Sequence, residues 1–397
     1  MSLARSVTEQ LERASWIRRM FEEGARLKAE RGAGNVFDFT LGNPDVDPPP
    51  EVLKALARLA AEHPPKIHAY MPNAGFPEAR QAVAAHLAMN TGLPFTPRHV
   101  LMTCGSAGAC NTFLRSVLDP GDEVIVLAPY FPEYLFYIQN HGGRMVPVET
   151  DENFLPVVRR IAEAVTPRTK AVLLNTPNNP TGRIYPEALL RELGAMIDEL
   201  DHPVTVLSDE PYTRLVFDGR THPEVVSLIR RTVVANSWSK TFALPGERIG
   251  YLAISPRLPE AEPLVDACTF TTRVLGYVNA PALWQRVVAE TIEVKADISS
   301  YQERRDRMHA GLTRLGYSVP RAEGTFYLFP KSPVDDDVAF IRLLLEEGVL
   351  AVPGSGFGRG GHFRLALTAP NDLIDRSLPA FRRALERATT LGSPGVS

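Results

Sequence analysis

Three polar residues of the kinds that do chemistry follow apolar segments of the sequence at nearly equal spacing. Asn179 follows KAVLLNTP, Asp209 follows PVTVLS, and Lys240 follows TVVANSWS, with steps of 30 and 31 residues between them. Each step is about the length of one strand, one helix and the next strand. Alone, each residue has an ordinary reading, as a turn, a helix cap or a solvated cation. Together they predict one site, because strand ends of a parallel sheet meet at the same edge.

A turn of small residues, GSAGA (105–109), follows the apolar segment before it and opens the helical stretch ACNTFLRSVL. Free backbone N–H groups and the positive end of a helix dipole suit a phosphate, although a tight strand–helix connection has the same sequence. A lysine, a carboxylate and a phosphate cradle at one sheet edge indicate pyridoxal phosphate. The lysine amine would react with its aldehyde, and the carboxylate would keep its pyridine nitrogen protonated.

The apolar segments that carry these residues predict a mostly parallel seven-stranded sheet with helices on both faces, an α/β fold. Nearly continuous apolar runs are expected for strands covered on both faces, and helical segments between most of them indicate βαβ units. The last two runs are too close for a helical crossover, so one strand should be antiparallel. The runs are HVLMTC (99–104), DEVIVLAP (122–129), GRMVPVE (143–149), KAVLLNTP (170–177), PVTVLSDE (203–210), TVVANSWS (232–239) and RIGYLAI (248–254).

The two ends of the chain have different patterns. The first segment has apolar residues at helical spacing, and LGNPDVDPPP (41–50) predicts a loop. After residue 282 the sequence predicts a long helical segment from Trp284 to about Gly316, followed by short strands and two further helices. We therefore predict an N-terminal helix and loop (1–45) that packs on a small domain, a large α/β domain (46–282) and a small α+β domain (283–397). The N-terminal helical pattern comprises Leu11, Ala14, Ile17, Met20, Phe21 and Leu27, and the C-terminal segments are TFYLFP (325–330), DVAFIRLLLEEG (337–348), HFRLAL (362–367) and a final helix with Leu373, Ile374, Leu378, Phe381 and Leu385 on one face.

Composition disfavours several classes of protein. The 397 residues carry a formal net charge of −3, which gives no general attraction to nucleic acid or anionic membrane. We expect no membrane span, no signal peptide and no metal site. Three cysteines, Cys104, Cys110 and Cys268, cannot form a disulfide framework, which favours the cytoplasm.

Five segments together resemble the class I aminotransferases, which are fold-type I pyridoxal phosphate enzymes: GSAGA, PYFPEY, NTPNNPTG, SDEPY and SWSKTFALPGERIG. The resemblance runs from about residue 36 nearly to the C-terminus. It implies exchange of an amino group between an L-amino acid and a 2-oxo acid through a pyridoxamine intermediate. It implies that Lys240 forms the Schiff base and then moves a proton, that Asp209 pairs with the pyridine nitrogen, and that Asn179 and Tyr212 hydrogen-bond the ring oxygen.

The resemblance also implies further contacts with cofactor and substrate. Phe131 would stack on the ring, with Tyr130 as the second candidate. Tyr70, in HAYMPNAGFPEAR, matches a tyrosine that reaches the phosphate from a neighbouring subunit, which implies a homodimer. Arg364 would bind the substrate carboxylate through two parallel hydrogen bonds, and Gly42 would lie in a loop that closes over the substrate. The implied phosphate contacts are Gly105, Ser106, Ala107, Ser237, Ser239 and Arg248.

The choice of substrate depends on one more arginine. Arg273, in TTRVLGYVNAP (271–281), resembles the arginine of aspartate-type members that binds a distal carboxylate in the partner subunit. It lies 33 residues after Lys240, one more than that pattern has, and a solvated or interface arginine is the alternative. An acidic amino acid, best aspartate with 2-oxoglutarate, is the predicted substrate.

Other functions stay open at this point. A transaminase for aromatic or neutral amino acids, or a C–S β-lyase, synthase or decarboxylase on the same scaffold, would have the same motifs. An effector-binding domain of a transcription regulator is disfavoured, since only about 35 residues precede the match and they contain no basic helix-turn-helix. Two further features predict no function. GSGFG (354–358) lacks the helix of a dinucleotide-binding motif, and Cys104 is expected to be a buried residue at a strand end.

Overall fold

The computed structural model describes residues 3–13, 23–24, 26–30 and 32–392. Predicted helix positions Ala14, Ile17, Met20 and Phe21 lie outside these residues. The α-helices are Arg5–Arg13 (α1), Pro50–Glu62 (α2), Pro77–Thr91 (α3), Gly105–Val117 (α4), Glu133–Asn140 (α5), Val158–Ala164 (α6), Glu187–Asp198 (α7), Val225–Leu228 (α8), Trp238–Thr241 (α9), Ala261–Val274 (α10), Ala282–Thr291 (α11), Ser299–Leu315 (α12), Asp337–Glu346 (α13) and Asn371–Gly392 (α14). The strands are Phe37–Asp38 (β1), Val100–Thr103 (β2), Glu123–Ala128 (β3), Arg144–Glu149 (β4), Thr169–Asn175 (β5), Thr205–Asp209 (β6), Thr232–Ser237 (β7), Gly250–Ile254 (β8), Tyr327–Leu328 (β9), Val349–Leu350 (β10), Val352–Pro353 (β11) and Phe363–Ala366 (β12).

A seven-stranded sheet in the order β2-β8-β7-β6-β5-β3-β4 forms the centre of the fold, as the apolar segments predict. All neighbours are parallel except β8, which runs antiparallel to both β2 and β7. The prediction of one antiparallel strand is confirmed. Alternate residues of β3 face opposite cores: Val124 and Val126 pack on one side of the sheet, and Ile125 and Leu127 pack on the other. This two-sided burial explains why the strand is apolar from Val124 to Ala128.

Register brings the ends of three strands to one edge of the sheet. Asn175, the last residue of β5, pairs with Asp209, the last residue of β6. Asp209 in turn pairs with Ala235 of β7, two residues before that strand ends. The loops that carry Asn179 and Lys240 therefore leave the sheet at the same edge as Asp209.

A second, smaller body of structure contains the C-terminal elements. Strands β11, β12 and β9 form an antiparallel sheet, and β1 pairs in parallel with β10 through Phe37 and Val349. Helices α12, α13 and α14 cover the same apolar core as β9 and β12. Phe37, Asp38 and Phe39 thus pack with the C-terminal elements. The division into domains stays a prediction; α11 packs in one apolar core with α2 and α3, which favours a boundary after Thr291 over one at 282.

The long helical segment predicted from Trp284 to Gly316 is wrong in one respect, because it is broken between α11 and α12. The guanidinium of Arg214 donates hydrogen bonds to the carbonyls of Ile292 at 2.7 Å and Val294 at 3.1 Å. The carboxylate of Asp297 accepts a hydrogen bond from the N–H of Ser299 at 2.9 Å, where the next helix begins. These contacts satisfy the backbone groups that a continuous helix would have paired. Within the described residues, no helix is both long enough and apolar enough to cross a lipid bilayer.

Candidate active site

A cavity of about 310 Å³ lies at the edge of the sheet where β5, β6 and β7 end. Its volume is in the range of small-molecule sites. Most of the residues that the sequence singled out line it: Gly42, Ser106, Ala107, Phe131, Asn179, Asp209, Tyr212, Ser237, Ser239, Lys240, Arg248 and Arg364. The arrangement explains the equal spacing of Asn179, Asp209 and Lys240 along the chain, since each follows one strand of the parallel sheet.

The carboxylate of Asp209 is buried in the cavity wall. Its Oδ2 accepts a hydrogen bond from the hydroxyl of Tyr134 at 2.6 Å, whereas its buried Oδ1 has no partner among the described residues. Burial raises the pKa of Asp209 to about 6, although the hydrogen bond from Tyr134 acts in the opposite direction. The group is therefore ionised at neutral pH. A buried, ionised oxygen without a partner suits a cationic ring N–H such as that of a protonated pyridine.

The amine of Lys240 lies in the same cavity, in the short helix α9 directly after β7. Its Nζ donates a hydrogen bond to the carbonyl oxygen of Gly42 at 2.6 Å. Burial, together with the positive charges of Arg364 and Arg248, lowers the pKa of Lys240 to about 8. A larger fraction of this amine is neutral than of an ordinary lysine amine. Only the neutral form can attack an aldehyde or accept a proton.

Helix α4 begins at the cavity with the backbone shape of a phosphate cradle. Gly105 has φ of +71°, and a Cβ there would lie 2.8 Å from Nη2 of Arg248. A side chain at residue 105 would thus displace the arginine. Ser106 and Ala107, in the first turn of the helix, line the cavity together with Arg248. Backbone N–H groups, a hydroxyl and a guanidinium at a helix N-terminus are the donors that bind phosphate in proteins.

A second cation, Arg364 of β12, closes another side of the cavity. Its Nη2 donates to the carbonyl of Thr40 at 2.6 Å and its Nη1 donates to Oδ1 of Asn179 at 3.1 Å, while its Nε is buried without a partner. The guanidinium lies 4.6 Å from the ring of Tyr327 and 4.8 Å from the ring of Phe357. In the described part of the chain, no carboxylate lies within ion-pair distance of it. The fixed position and the missing anion fit a carboxylate of a ligand.

Amide and phenol groups fix the floor of the cavity. Nδ2 of Asn175 donates to the carbonyl of Asp209 at 2.8 Å, and Oδ1 of Asn175 accepts from the N–H of Asn179 at 2.7 Å. The hydroxyl of the buried Tyr212 donates to the hydroxyl of Tyr327 at 3.4 Å. Gly42 lies against that same tyrosine, since a Cβ at Gly42 would be 1.8 Å from the Tyr327 oxygen. Any side chain at residue 42 would therefore have to displace the loop or the ring of Tyr327.

Several sequence candidates lie outside the cavity of their own chain. Tyr70 is 89% exposed, and Arg273 is exposed at the end of α10, where its guanidinium lies 5.5 Å from the ring of Phe270. Of the two aromatic candidates, Phe131 lines the cavity and Tyr130 does not.

Other residues line the cavity that the sequence did not single out. Glu133, Tyr134 and Tyr137 belong to α5. Asn175 is the last residue of β5, and Tyr327 is the first residue of β9. Glu133 and Tyr134 lie in the PYFPEY segment, and the spacing of residues 133, 134 and 137 is the signal that could have placed them on one helix face.

The structure also describes the two features that the sequence analysis set aside, and Cys104 is half-buried where a buried residue was expected. The thiol of the half-buried Cys104 donates to the carbonyl of Asn279 at 3.7 Å, and burial raises its pKa, which leaves it a poor nucleophile. GSGFG forms a short 3₁₀ helix, Gly354–Phe357, that leads to β12 and not to an α-helix. Within the described residues, no group of three His, Cys, Asp or Glu side chains could hold a metal ion.

Comparisons with known proteins agree with this geometry. The family model described as aminotransferase class I and II matches residues 34–380. An aspartate/prephenate aminotransferase of Thermus thermophilus is 35% identical over 368 residues, which cover 91% of this chain and 94% of the relative. A solved amino transferase from Eubacterium rectale superposes with a TM-score of 0.93 at 34% identity, covering 98% of this chain and 100% of that one. The aspartate aminotransferase of Thermus thermophilus with maleate superposes with a TM-score of 0.86 at 31% identity, covering 97% and 100%.

The residues present fit the cofactor of that family, pyridoxal phosphate. The unpartnered Oδ1 of Asp209, the cradle at Gly105 and the desolvated amine of Lys240 offer one group for each of its ring nitrogen, phosphate and aldehyde. With the family match over most of the chain, the cofactor and the reaction class follow. The chain is a pyridoxal phosphate-dependent transaminase that belongs to the class I and II aminotransferase family.

Proposed function

We propose that this transaminase exchanges the amino group of an acidic L-amino acid, aspartate first, with a 2-oxo acid such as 2-oxoglutarate. The observation that carries the proposal is the buried guanidinium of Arg364, whose Nε lacks a partner and which is held in a cavity beside Lys240. It supports a substrate with a carboxylate next to the reacting carbon. The relative named as an aspartate/prephenate aminotransferase and the solved aspartate aminotransferase with maleate support the acidic side chain.

Pyridoxal phosphate, when bound, supplies an aldehyde that condenses with amines and a ring that accepts the electron pair of the Cα–H bond. Lys240 would hold the aldehyde covalently until a substrate amine displaces it. Its Nζ, whose pKa is lowered to about 8, would then accept the proton of the substrate Cα and deliver it to C4′, the carbon of the former aldehyde. Burial and the positive charges of Arg364 and Arg248 increase the neutral fraction of this amine over that of an ordinary lysine.

The other residues would position the reacting groups. Asp209 would pair with the ring nitrogen through Oδ1, while Tyr134 holds its other oxygen. Asn179 and Tyr212 would hydrogen-bond the ring oxygen, and Phe131 would cover the ring face. Gly105, Ser106, Ala107, Ser237, Ser239 and Arg248 would hold the phosphate.

We further propose a homodimer that shares its active sites and a cytoplasmic location. Tyr70 is 89% exposed, and Arg273 is exposed outside the cavity of its own chain. Both positions are compatible with contributions to the cavity of a second copy, where Tyr70 would reach the phosphate and Arg273 a distal carboxylate. The near-neutral charge and three free cysteines support the location.

A screen of half-reactions tests the proposal. Each amino acid is added to the purified holoenzyme, and loss of the cofactor absorbance of the lysine-bound form is followed together with the released product. A 2-oxo acid that keeps the carbon skeleton supports transamination. Pyruvate with ammonia, or carbon dioxide, would instead indicate a lyase or a decarboxylase.

The variant Arg273→Ala tests the acidic substrate in particular. Loss of a charge pair in a desolvated site costs about 2–5 kcal/mol, so kcat/KM for aspartate and glutamate should fall by some tens- to thousands-fold. Alanine should be converted nearly as before. Arg159→Ala, which removes an exposed arginine of α6, serves as the control. An equal loss for all amino acids, or none for aspartate, would remove Arg273 from the site.

A further inference from the structure

One carboxyl group in the cavity has no part in the chemistry described above. Glu133 is the first residue of α5 and lines the cavity, and its buried Oε2 has no hydrogen-bond partner among the described residues. No lysine, arginine or histidine of those residues lies within ion-pair distance. Tyr137 lies one helical turn further along and lines the same cavity, so this face of α5 is turned toward the ligand.

The other charged groups that line the cavity each match a part of the cofactor or of the α-carboxylate. Arg248 lies at the phosphate cradle, Asp209 faces the ring nitrogen, Lys240 meets the aldehyde, and Arg364 meets the substrate carboxylate. Glu133 is left over, on the side where α5 meets the cavity. None of the other charged residues that line this cavity in its own chain is assigned to the side chain of the substrate.

A purely structural role explains Glu133 only in part. An acidic residue in the first turn of a helix is stabilised by the helix dipole. However, an acid with that role alone is normally exposed, as Glu187 is in the first turn of α7. Glu133 is instead mostly buried, with its Oε2 enclosed, and this burial raises the pKa of its carboxyl against the opposing effects of its own backbone N–H and of the positive charge of Arg364. A desolvated oxygen without a partner is unfavourable unless a ligand supplies a donor.

We propose that Glu133 is a specificity-determining residue that accepts a hydrogen bond from the side chain of one substrate, an amino acid whose side chain ends in an N–H donor such as an amide or an ammonium. The proposal rests on the proposed function, because Arg364 must hold the α-carboxylate of that substrate. A transaminase binds two different substrates in turn at one site. A positively charged residue can therefore serve the side chain of one substrate, and a negatively charged residue the side chain of the other. The partner subunit's Arg273 would serve the acidic substrate, and Glu133 the donor-bearing one.

The test compares substrates that differ only in the terminal group. Half-reaction kcat/KM is measured for glutamine against glutamate and asparagine against aspartate, with methionine as a substrate that has no N–H donor in its side chain. In Glu133→Gln, the ratio of amide to acid substrate should fall by about tenfold or more, because the like charge that opposes a second carboxylate is gone. Methionine should change little. The control Glu187→Gln removes the first acid of another helix and should leave the ratio unchanged.

A further variant protects the test against a change in folding. Glu133→Asp keeps the charge and should retain more of the wild-type ratio than Glu133→Gln, with both variants compared by circular dichroism and thermal unfolding. A ratio that stays within about twofold of wild type in Glu133→Gln, or an equal change for methionine, would overturn the proposal. A holoenzyme that converts no amino acid at all would instead contradict the proposed function, so the two failures are distinguishable.

Discussion

Replacing Tyr134 by phenylalanine removes the 2.6 Å hydrogen bond that its hydroxyl donates to Oδ2 of Asp209. That bond favours the ionised form of Asp209 and partly offsets the effect of burial, so that the pKa of Asp209 is raised only to about 6. A hydrogen bond to a charged group contributes about 1.5–3 kcal/mol, and one pKa unit corresponds to about 1.4 kcal/mol. Tyr134→Phe should therefore raise the pKa of Asp209 by about 1–2 units.

The consequence is a change in how cofactor affinity depends on pH. Asp209 attracts the ring nitrogen only when ionised, so affinity rises with pH through its pKa. Below about pH 6 the variant should bind cofactor about 10- to 100-fold more weakly than wild type, while above about pH 9 the two should agree.

Pyridoxamine phosphate is the appropriate ligand for this measurement. It has an amine in place of the aldehyde, so it cannot form a covalent bond with Lys240. Its measured affinity therefore does not contain the pH dependence of that bond. Its binding to the apoprotein is followed by fluorescence between about pH 5 and pH 9. Tyr137→Phe makes the same change on the same helix without removing a hydrogen bond to Asp209, and should keep the wild-type midpoint. An unchanged midpoint in Tyr134→Phe, or equal weakening at every pH, would refute the reasoning.

Three further predictions follow from the same geometry. Asp209→Asn should keep the cofactor but lower turnover at least about 30-fold, since an amide does not stabilise the ring-nitrogen proton, and near wild-type turnover would make Asp209 purely structural. Mixing inactive Lys240→Ala with inactive Tyr70→Phe should restore some activity in heterodimers, whereas a fully active monomer in light scattering would exclude shared sites. Capture of pyridoxal phosphate by the apoprotein should become faster as pH rises through about 8, the pKa of Lys240. Arg364→Gln should raise the pH of that midpoint because one neighbouring cation is lost. A midpoint that stays the same in the variant would contradict this prediction.

The sheet and the edge at which the site lies could be predicted from sequence because both depend on local patterns. Apolar runs of strand length identify β2 to β8, and the short connection before β8 requires an antiparallel strand. Parallel register then brings the ends of β5 and β6 together, so Asn179 and Asp209 meet without further information.

Other features depend on contacts between distant parts of the chain. The break between α11 and α12 depends on Arg214, which is 78 residues from Ile292 in sequence. The places of Tyr134 and Glu133 depend on how α5 is rotated against the sheet, and the amino-acid pattern of PYFPEY does not define that rotation. The roles proposed for Tyr70 and Arg273 would depend on a second copy of the chain, which a single sequence does not describe.

The central claim, that Lys240 is the residue that binds pyridoxal phosphate covalently, is tested most directly by chemical labelling. The holoenzyme is reduced with borohydride, digested, and its peptides are analysed by mass spectrometry. The phosphopyridoxyl group should be found on the peptide that contains Lys240, and Lys240→Ala should yield no such label and no turnover. Label on a different lysine of the wild-type protein would contradict the assignment of the whole site.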